Sequence, residues 1–264
     1  MKTIKVIYKK GFNFFAELLN NDKSLIQHKA TKYNAFDLFL KIPQITKVDI
    51  LEILEYFLIH NITRSNKWVE SDEIFDFPLG KFSNAFDYKT LEYKFNKPMP
   101  SFESEYINIL GELFLAGYVD FVVVENIKEK EYKEVYLSKY KADKYQSWIY
   151  FRNNFIYTGF FNRSPEDEIY IYNGKEYNEA NCPTCIKDGV TTLCGYNAMY
   201  GSTSWDTPRY WSQYNVLLVR TQKAIDCKDI LDGKIYHKYK DLEVEIDDKG
   251  NIIKWIGKIN RQQD

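Results

Sequence analysis

At 264 residues, with 36 Lys and Arg against 37 Asp and Glu, the chain carries a formal net charge of -1. That length can bury one large core or two smaller ones without disulfide support. The charge balance lacks the surplus of cations that coating nucleic acid requires, and no apolar run reaches membrane-spanning length.

The chain opens Met-Lys-Thr-Ile-Lys-Val-Ile-Tyr, an alternation that predicts a strand over residues 3–8 rather than the apolar core of a signal peptide. Without an export signal the four cysteines are expected to stay reduced, and a cytoplasmic location follows as an expectation. Phe12 to Leu19 reads as a short helix, and Leu38, Phe39 and Ile42 suggest another, stopped at Pro43. The clearest helix begins at Thr46. Thr46 caps, Asp49 complements the dipole in the first turn, and Leu51, Leu54 and Leu58 recur at helical spacing. Ile50, Ile53 and Phe57 widen that stripe. Thr63 to Lys81 reads as a weakly structured loop.

Ser101 opens a further helix with Tyr106, Ile109, Leu110, Leu113 and Phe114 on its apolar face, and Gly117 suits a left-handed C-cap. Tyr118 to Val124 is a continuous apolar strand, and Glu134 to Leu137 returns beside it. Helix, Ala-Gly-Tyr-Val and a two-stranded ribbon resemble the closing pattern of a winged helix, over roughly residues 46–140. A DNA-reading role does not follow. The helix carries Glu103, Glu105 and Glu112 and no Lys or Arg between Ser101 and Gly117, so it would repel phosphate. The alternating charges from Lys128 to Lys144 read as a solvated face.

From Trp148 onward helical periodicity is scarce and strand and turn signals dominate. Ile149 to Phe161 is rich in aromatics. Ile169 to Tyr172 is a strand before the Asn173-Gly174 turn, and Val216 to Arg220 is another. Asp232-Gly233 reads as a tight turn. Asp248 to Asn251 joins Leu242, Val244 and Ile246 to Ile252, Ile253 and Trp255 as a C-terminal hairpin. The expected architecture is α+β: a helical, winged-helix-like part over residues 1–146, then an antiparallel, aromatic-rich β part over 147–264.

Cys182-Pro183-Thr184-Cys185 carries the most specific chemistry. Two thiols separated by two residues can grip one metal ion, and Cys194 adds a third ligand after the Asp188-Gly189 turn. Cys227 or His237 would complete a tetrahedral zinc site. The same thiols can instead be buried and inert. A third reading makes Cys194 a nucleophile at a helix start, with His237 as base on a strand of the same region and Asp206 or Asn215 orienting the imidazole. Papain-like hydrolases share that broad order, without a local signature here.

Pro165 to Glu168 reads as a capped turn with solvated acids. Between Ser202 and Tyr214, the residues Trp205, Asp206, Arg209, Tyr210 and Trp211 offer stacking faces and a guanidinium to a ligand, or else form a packed loop. Phosphate-loop, dinucleotide, two-His metalloprotease and Ser-elbow motifs are absent from the sequence. The reading that follows is a cytoplasmic, non-catalytic binding or adaptor protein. In it a Cys-bound zinc steadies the C-terminal part, and the 202–214 loop meets a protein partner. A cysteine-dependent hydrolase or transferase is the alternative, and a nucleic-acid-associated protein or nuclease the second.

Overall fold

A computed structural model describes residues 2–9, 13–18, 40, 42–64, 68–70, 86–87, 92–93, 102–128, 131–160, 169–172, 175–178, 181, 184–187, 190–193, 203–212, 215–246 and 252–261. In chain order these form strands β1 (Lys2–Lys9) and β2 (Asn13–Leu18), helix α1 (Lys47–Arg64), and strands β3 (Trp68–Glu70), β4 (Phe86–Asp87) and β5 (Glu92–Tyr93). Helix α2 (Glu103–Leu115), strands β6 (Val119–Lys128) and β7 (Glu131–Tyr136), and helix α3 (Lys144–Phe151) follow. The remainder comprises β8 (Tyr170–Tyr172), β9 (Lys175–Tyr177), β10 (Thr184–Lys187), β11 (Val190–Leu193), β12 (Leu217–Arg220), helix α4 (Gln222–Tyr239), β13 (Glu243–Ile246) and β14 (Ile252–Ile256). The fold is α+β, helices with antiparallel sheets. No helix among the described residues is long and apolar enough to cross a membrane.

The chain forms two compact units. Residues 1–61, 76–109 and 225–264 make the first, and residues 62–75 and 110–224 the second. The boundary expected near residue 146 falls inside the second unit, within α3.

In the first unit the sheet order is β14-β13-β1-β2, all antiparallel, so an N-terminal strand pairs with a C-terminal one. Helix α1 starts where the sequence places it. The Thr46 backbone N–H and hydroxyl donate to Asp49 Oδ2 at 2.8 and 2.7 Å, and the Asp49 N–H donates back to Thr46 Oγ1 at 3.3 Å. This is a capping box with Asp in the acidic position. Ile53, Leu54, Tyr56, Leu58 and Ile59 are buried from this helix.

Helix α4 meets α1 through charge. Lys238 reaches Asp49 at 2.7 Å and also pairs with Glu52, while Lys234 bonds Glu52 at 2.7 Å. Arg261 closes the cluster on Asp49 at 2.7 Å and donates to the Gln44 carbonyl at 2.6 Å. Tyr56 donates to buried Asp232, and His60 Nδ1 lies 4.0 Å from the same carboxylate. Burial alone would raise the Asp49 carboxyl, but the bonds from Arg261, Lys238 and Thr46 outweigh it and hold the group far below the usual carboxylate range.

In the second unit the sheet order is β3-β12-β6-β7. Helix α2 ends in a Schellman-type cap: Tyr118 N–H bonds Leu113 O at 2.8 Å, Gly117 N–H bonds Phe114 O at 3.0 Å, and Gly117 sits at φ 80°. Gly111 lies flat against α3, where an added Cβ would stand 2.6 Å from the Trp148 indole. Phe114, Phe121, Trp148, Phe151 and Phe155 then form one aromatic core, with Phe121 and Phe151 centroids 4.3 Å apart.

Several expectations are corrected. The segment expected as a helix from Phe12 contains strand β2, because β1 offers a pairing edge over the whole run from Ile4↔Leu18 to Lys9↔Asn13. Within the expected loop after Thr63, Trp68–Glu70 is a strand paired with β12. Two helices, α3 and α4, interrupt the stretch expected to be strand-dominated. In α3 and the π-helical turn after it, Trp148, Phe151 and Phe155 recur at helical spacing and are buried together. The Asp232-Gly233 pair is no turn but lies inside α4. The stripe buried on that helix includes Asp232 and most of Lys238 beside Ile235 and Tyr239, so partnered charges mask its apolar periodicity. The capped turn at 165–168 and the turns at 173–174 and 248–251 lie outside the described residues, although β8–β9 and β13–β14 pair around the latter two.

Candidate functional site

The second unit holds the candidate site, on the loop Thr203–Ser212, the turn at Tyr140–Lys141 and helix α3. Pro208 fixes the backbone for a 3-10 turn over Pro208–Tyr210. Two indoles anchor the loop from beneath. Trp205 and Trp211 are 1% and 0% exposed, with centroids 5.3 Å apart and edge to face. Their N–H groups donate to Val135 O and Ser204 O, each at 2.9 Å, so neither polar handle is lost on burial. Asn215 staples the loop's far end, accepting from Ser212 N–H at 2.8 Å and donating to Tyr210 O at 2.7 Å.

The outward side chains are held as well. Tyr140 donates to Asp206 Oδ1 at 2.6 Å. Glu176 on β9 accepts from Arg209 at 3.1 Å and from Tyr210 at 2.6 Å, and that bond raises the Tyr210 hydroxyl above its ordinary pKa. Beside them, Asp143 caps α3 by accepting from Gln146 N–H at 2.8 Å. Helix α3, capped by Asp143, carries Tyr150 beside Tyr140. The two rings lie 5.4 Å apart and are tilted by 49°. The Lys141 ammonium lies over both, 4.1 Å from the Tyr140 centroid and 4.4 Å from that of Tyr150. Desolvation, then the bond to Asp206, raises the Tyr140 hydroxyl far above the tyrosine range, so it stays a neutral donor.

Of the residues expected to face a partner, Trp205 and Trp211 serve the interior, Arg209 is exposed and Tyr210 half-buried. The loop is thus packed on its inner side and presented on its outer one. Sequence reasoning missed Tyr140, Lys141 and Tyr150, because the two tyrosines are ten positions apart and come together only through the folded packing of α3 against the 203–212 loop.

Cys182 and Cys194 lie outside the described residues, and of Cys185 the backbone alone is described, in β10. The β10–β11 register pairs Thr184 with Leu193 and Cys185 with Thr192. Cys185 is thus the second residue of β10, opposite Thr192, and Cys194 lies two positions beyond Thr192 in sequence. Cys227 is half-buried on α4 in the first unit. Among the described residues, no three His, Cys, Asp or Glu side chains converge as a metal site. His237, expected on a strand, is on the last turn of α4 and exposed, with Asn260 bonding its carbonyl at 3.2 Å. No turn forms at Asp232-Gly233, so α4 runs on to Tyr239 and keeps His237 helical. Asp206, expected to orient that imidazole, is engaged by Tyr140. Comparison of the chain with protein-family models, with curated proteins and with solved structures finds no match.

Proposed function

We propose that the chain is a cytoplasmic, non-catalytic binding or adaptor protein that meets a protein partner through the outer side of the Thr203–Ser212 loop. One observation carries this reading: the loop is pre-organised. Two buried indoles hold it from below, and Asp206, Arg209 and Tyr210 are fixed by Tyr140 and Glu176 on the outside. Side chains already immobilised in the free protein lose little freedom on association, and Tyr and Arg dominate binding energy at protein interfaces.

The test is affinity capture from the native host with the wild type and with Arg209→Glu combined with Tyr210→Ser, quantified by mass spectrometry. The reading expects at least one protein to be retained by the wild type and depleted roughly tenfold by the variant, at unchanged melting temperature. Equal retention by both would overturn it.

A structural zinc held by Cys182, Cys185 and Cys194 of the second unit belongs to the same proposal. Its support is the Cys182–Cys185 spacing together with the hairpin register that pairs Cys185 with Thr192, two positions before Cys194. Elemental analysis of protein purified without chelator is expected to find about one zinc per chain, lost in Cys182→Ser together with several degrees of melting temperature. A metal-free wild type removes this element.

A further inference from the structure

Tyr140 and Tyr150 form a V of two aromatic faces around a positive charge, and that charge is the chain's own Lys141. A ring's negative face attracts an ammonium, and cages of such faces recognise alkylated ammonium groups. Each wall of the V is set from behind. Tyr140 stands 6.4 Å from the Trp205 ring, and Tyr150 meets the Trp211 ring edge-on at 5.9 Å. Both hydroxyls are tied down, Tyr140 to Asp206 at 2.6 Å and Tyr150 to the Trp205 carbonyl at 2.9 Å. The walls are fixed; the occupant is not. The Lys141 backbone N–H is held by Ser147 Oγ at 3.1 Å, but its exposed side chain is a flexible stem that can leave the rings without disturbing that bond.

We propose that Tyr140 and Tyr150 are a binding clasp for an alkylammonium group, a lysine or methylated lysine side chain of a protein partner, and that Lys141 occupies the clasp as an intramolecular competitor until the partner displaces it. The Asp206 carboxylate beside the Tyr140 hydroxyl adds a favourable field for a cation. A tethered competitor lowers apparent affinity in proportion to its effective concentration, so deleting it should strengthen binding without any new contact. The inference rests on the binding-protein reading and names the chemistry of the partner.

The experiment is an amide NMR titration of the full chain with tetramethylammonium chloride, against sodium chloride at matched ionic strength. A short peptide carrying one lysine, unmodified or trimethylated, is titrated in parallel. Saturable shifts at Tyr140, Lys141, Tyr150 and Asp206 are expected with tetramethylammonium and the trimethylated peptide. Affinity should rise about tenfold in Lys141→Ala and be lost in Tyr140→Leu. Asp206→Asn, which leaves both rings in place, should weaken binding about threefold through the field alone. Absence of saturable shifts in a folded Lys141→Ala protein overturns the clasp, as does equal binding by Lys141→Ala and the wild type. Saturation by tetramethylammonium but not by either peptide would refute a lysine partner and leave a small-cation site. Failure of the clasp with successful partner capture at Arg209 and Tyr210 would spare the binding reading, and the converse would sink that reading alone.

Discussion

Single glycines in this chain carry opposite demands, and each has a measurable consequence. At Gly111 a Cβ would stand 2.6 to 2.8 Å from three atoms of the Trp148 indole, which neighbours Phe114, Phe121 and Phe151 and has little room to give. Gly111→Ala should cost about 1–3 kcal/mol by overpacking, seen as a fall in melting temperature with a shift in tryptophan emission. Gly257 is more severe. At φ 91° its Cβ would lie 2.0 Å from the Asp241 carbonyl, so Gly257→Ala should cost more than Gly111→Ala. Gly233 is the contrast: it lies inside α4 with open space around an added Cβ, and Gly233→Ala should stabilise by about 0.5–1 kcal/mol. A destabilised Gly233→Ala protein would contradict that placement within a helix. Gly117 was legible from sequence because a helix ending at Ala-Gly announces its cap. Gly111 was not, since the feature that requires glycine there is an indole 37 positions away.

At the scale of elements, α1 and α4 show what makes a helix readable. Helix α1 declares itself by Thr46, Asp49 and an apolar stripe, all local in sequence. Helix α4 hides, because Lys238, mostly buried on it, is neutralised by Asp49 and Glu52 of the distant α1. The same charges couple the pair to pH. The folded-state pKa of Asp49 is depressed, so its contribution is full above the unfolded carboxylate value near 4 and is lost as pH falls toward the lower folded value. Glu52, whose pKa is lowered by Lys234 and Lys238 against the opposing effect of burial, acts in the same direction. Melting temperature should therefore decline from about pH 5 downward. Asp49→Asn should lower stability at pH 7 by about 3 kcal/mol and flatten that acid limb. An unchanged acid limb in the variant would show that the cluster does not govern it.

For the whole molecule, the decisive feature is that the first unit is assembled from three stretches of chain, with β1 paired to β13 in the register Lys2↔Ile246 to Lys5↔Glu243. Hairpins such as β6–β7 and β13–β14 were legible because turn and alternation sit side by side. The β1–β13 and β12–β6 pairings were not, since no local signal chooses between distant edges. The candidate loop was visible as a cluster of aromatics, but which side of it faces inward is decided by carbonyls of Val135 and Ser204. Ending the chain at Lys240 removes β13, β14 and Arg261 together. The β1–β2 hairpin would then stand as an isolated pair, which is marginal in water, and Asp49 would lose one of its two cations. The truncated chain should lose hydrogen-exchange protection in β1 and β2, with weaker protection in α1. Arg261→Ala alone separates the causes: it should weaken α1 while leaving the β1–β13 amides protected. Because the pairing closes a loop of nearly the whole chain, its amides should also be among the last protected during refolding. Early protection of β1 would show instead that the hairpin with β2 is stable before the C-terminal strands arrive.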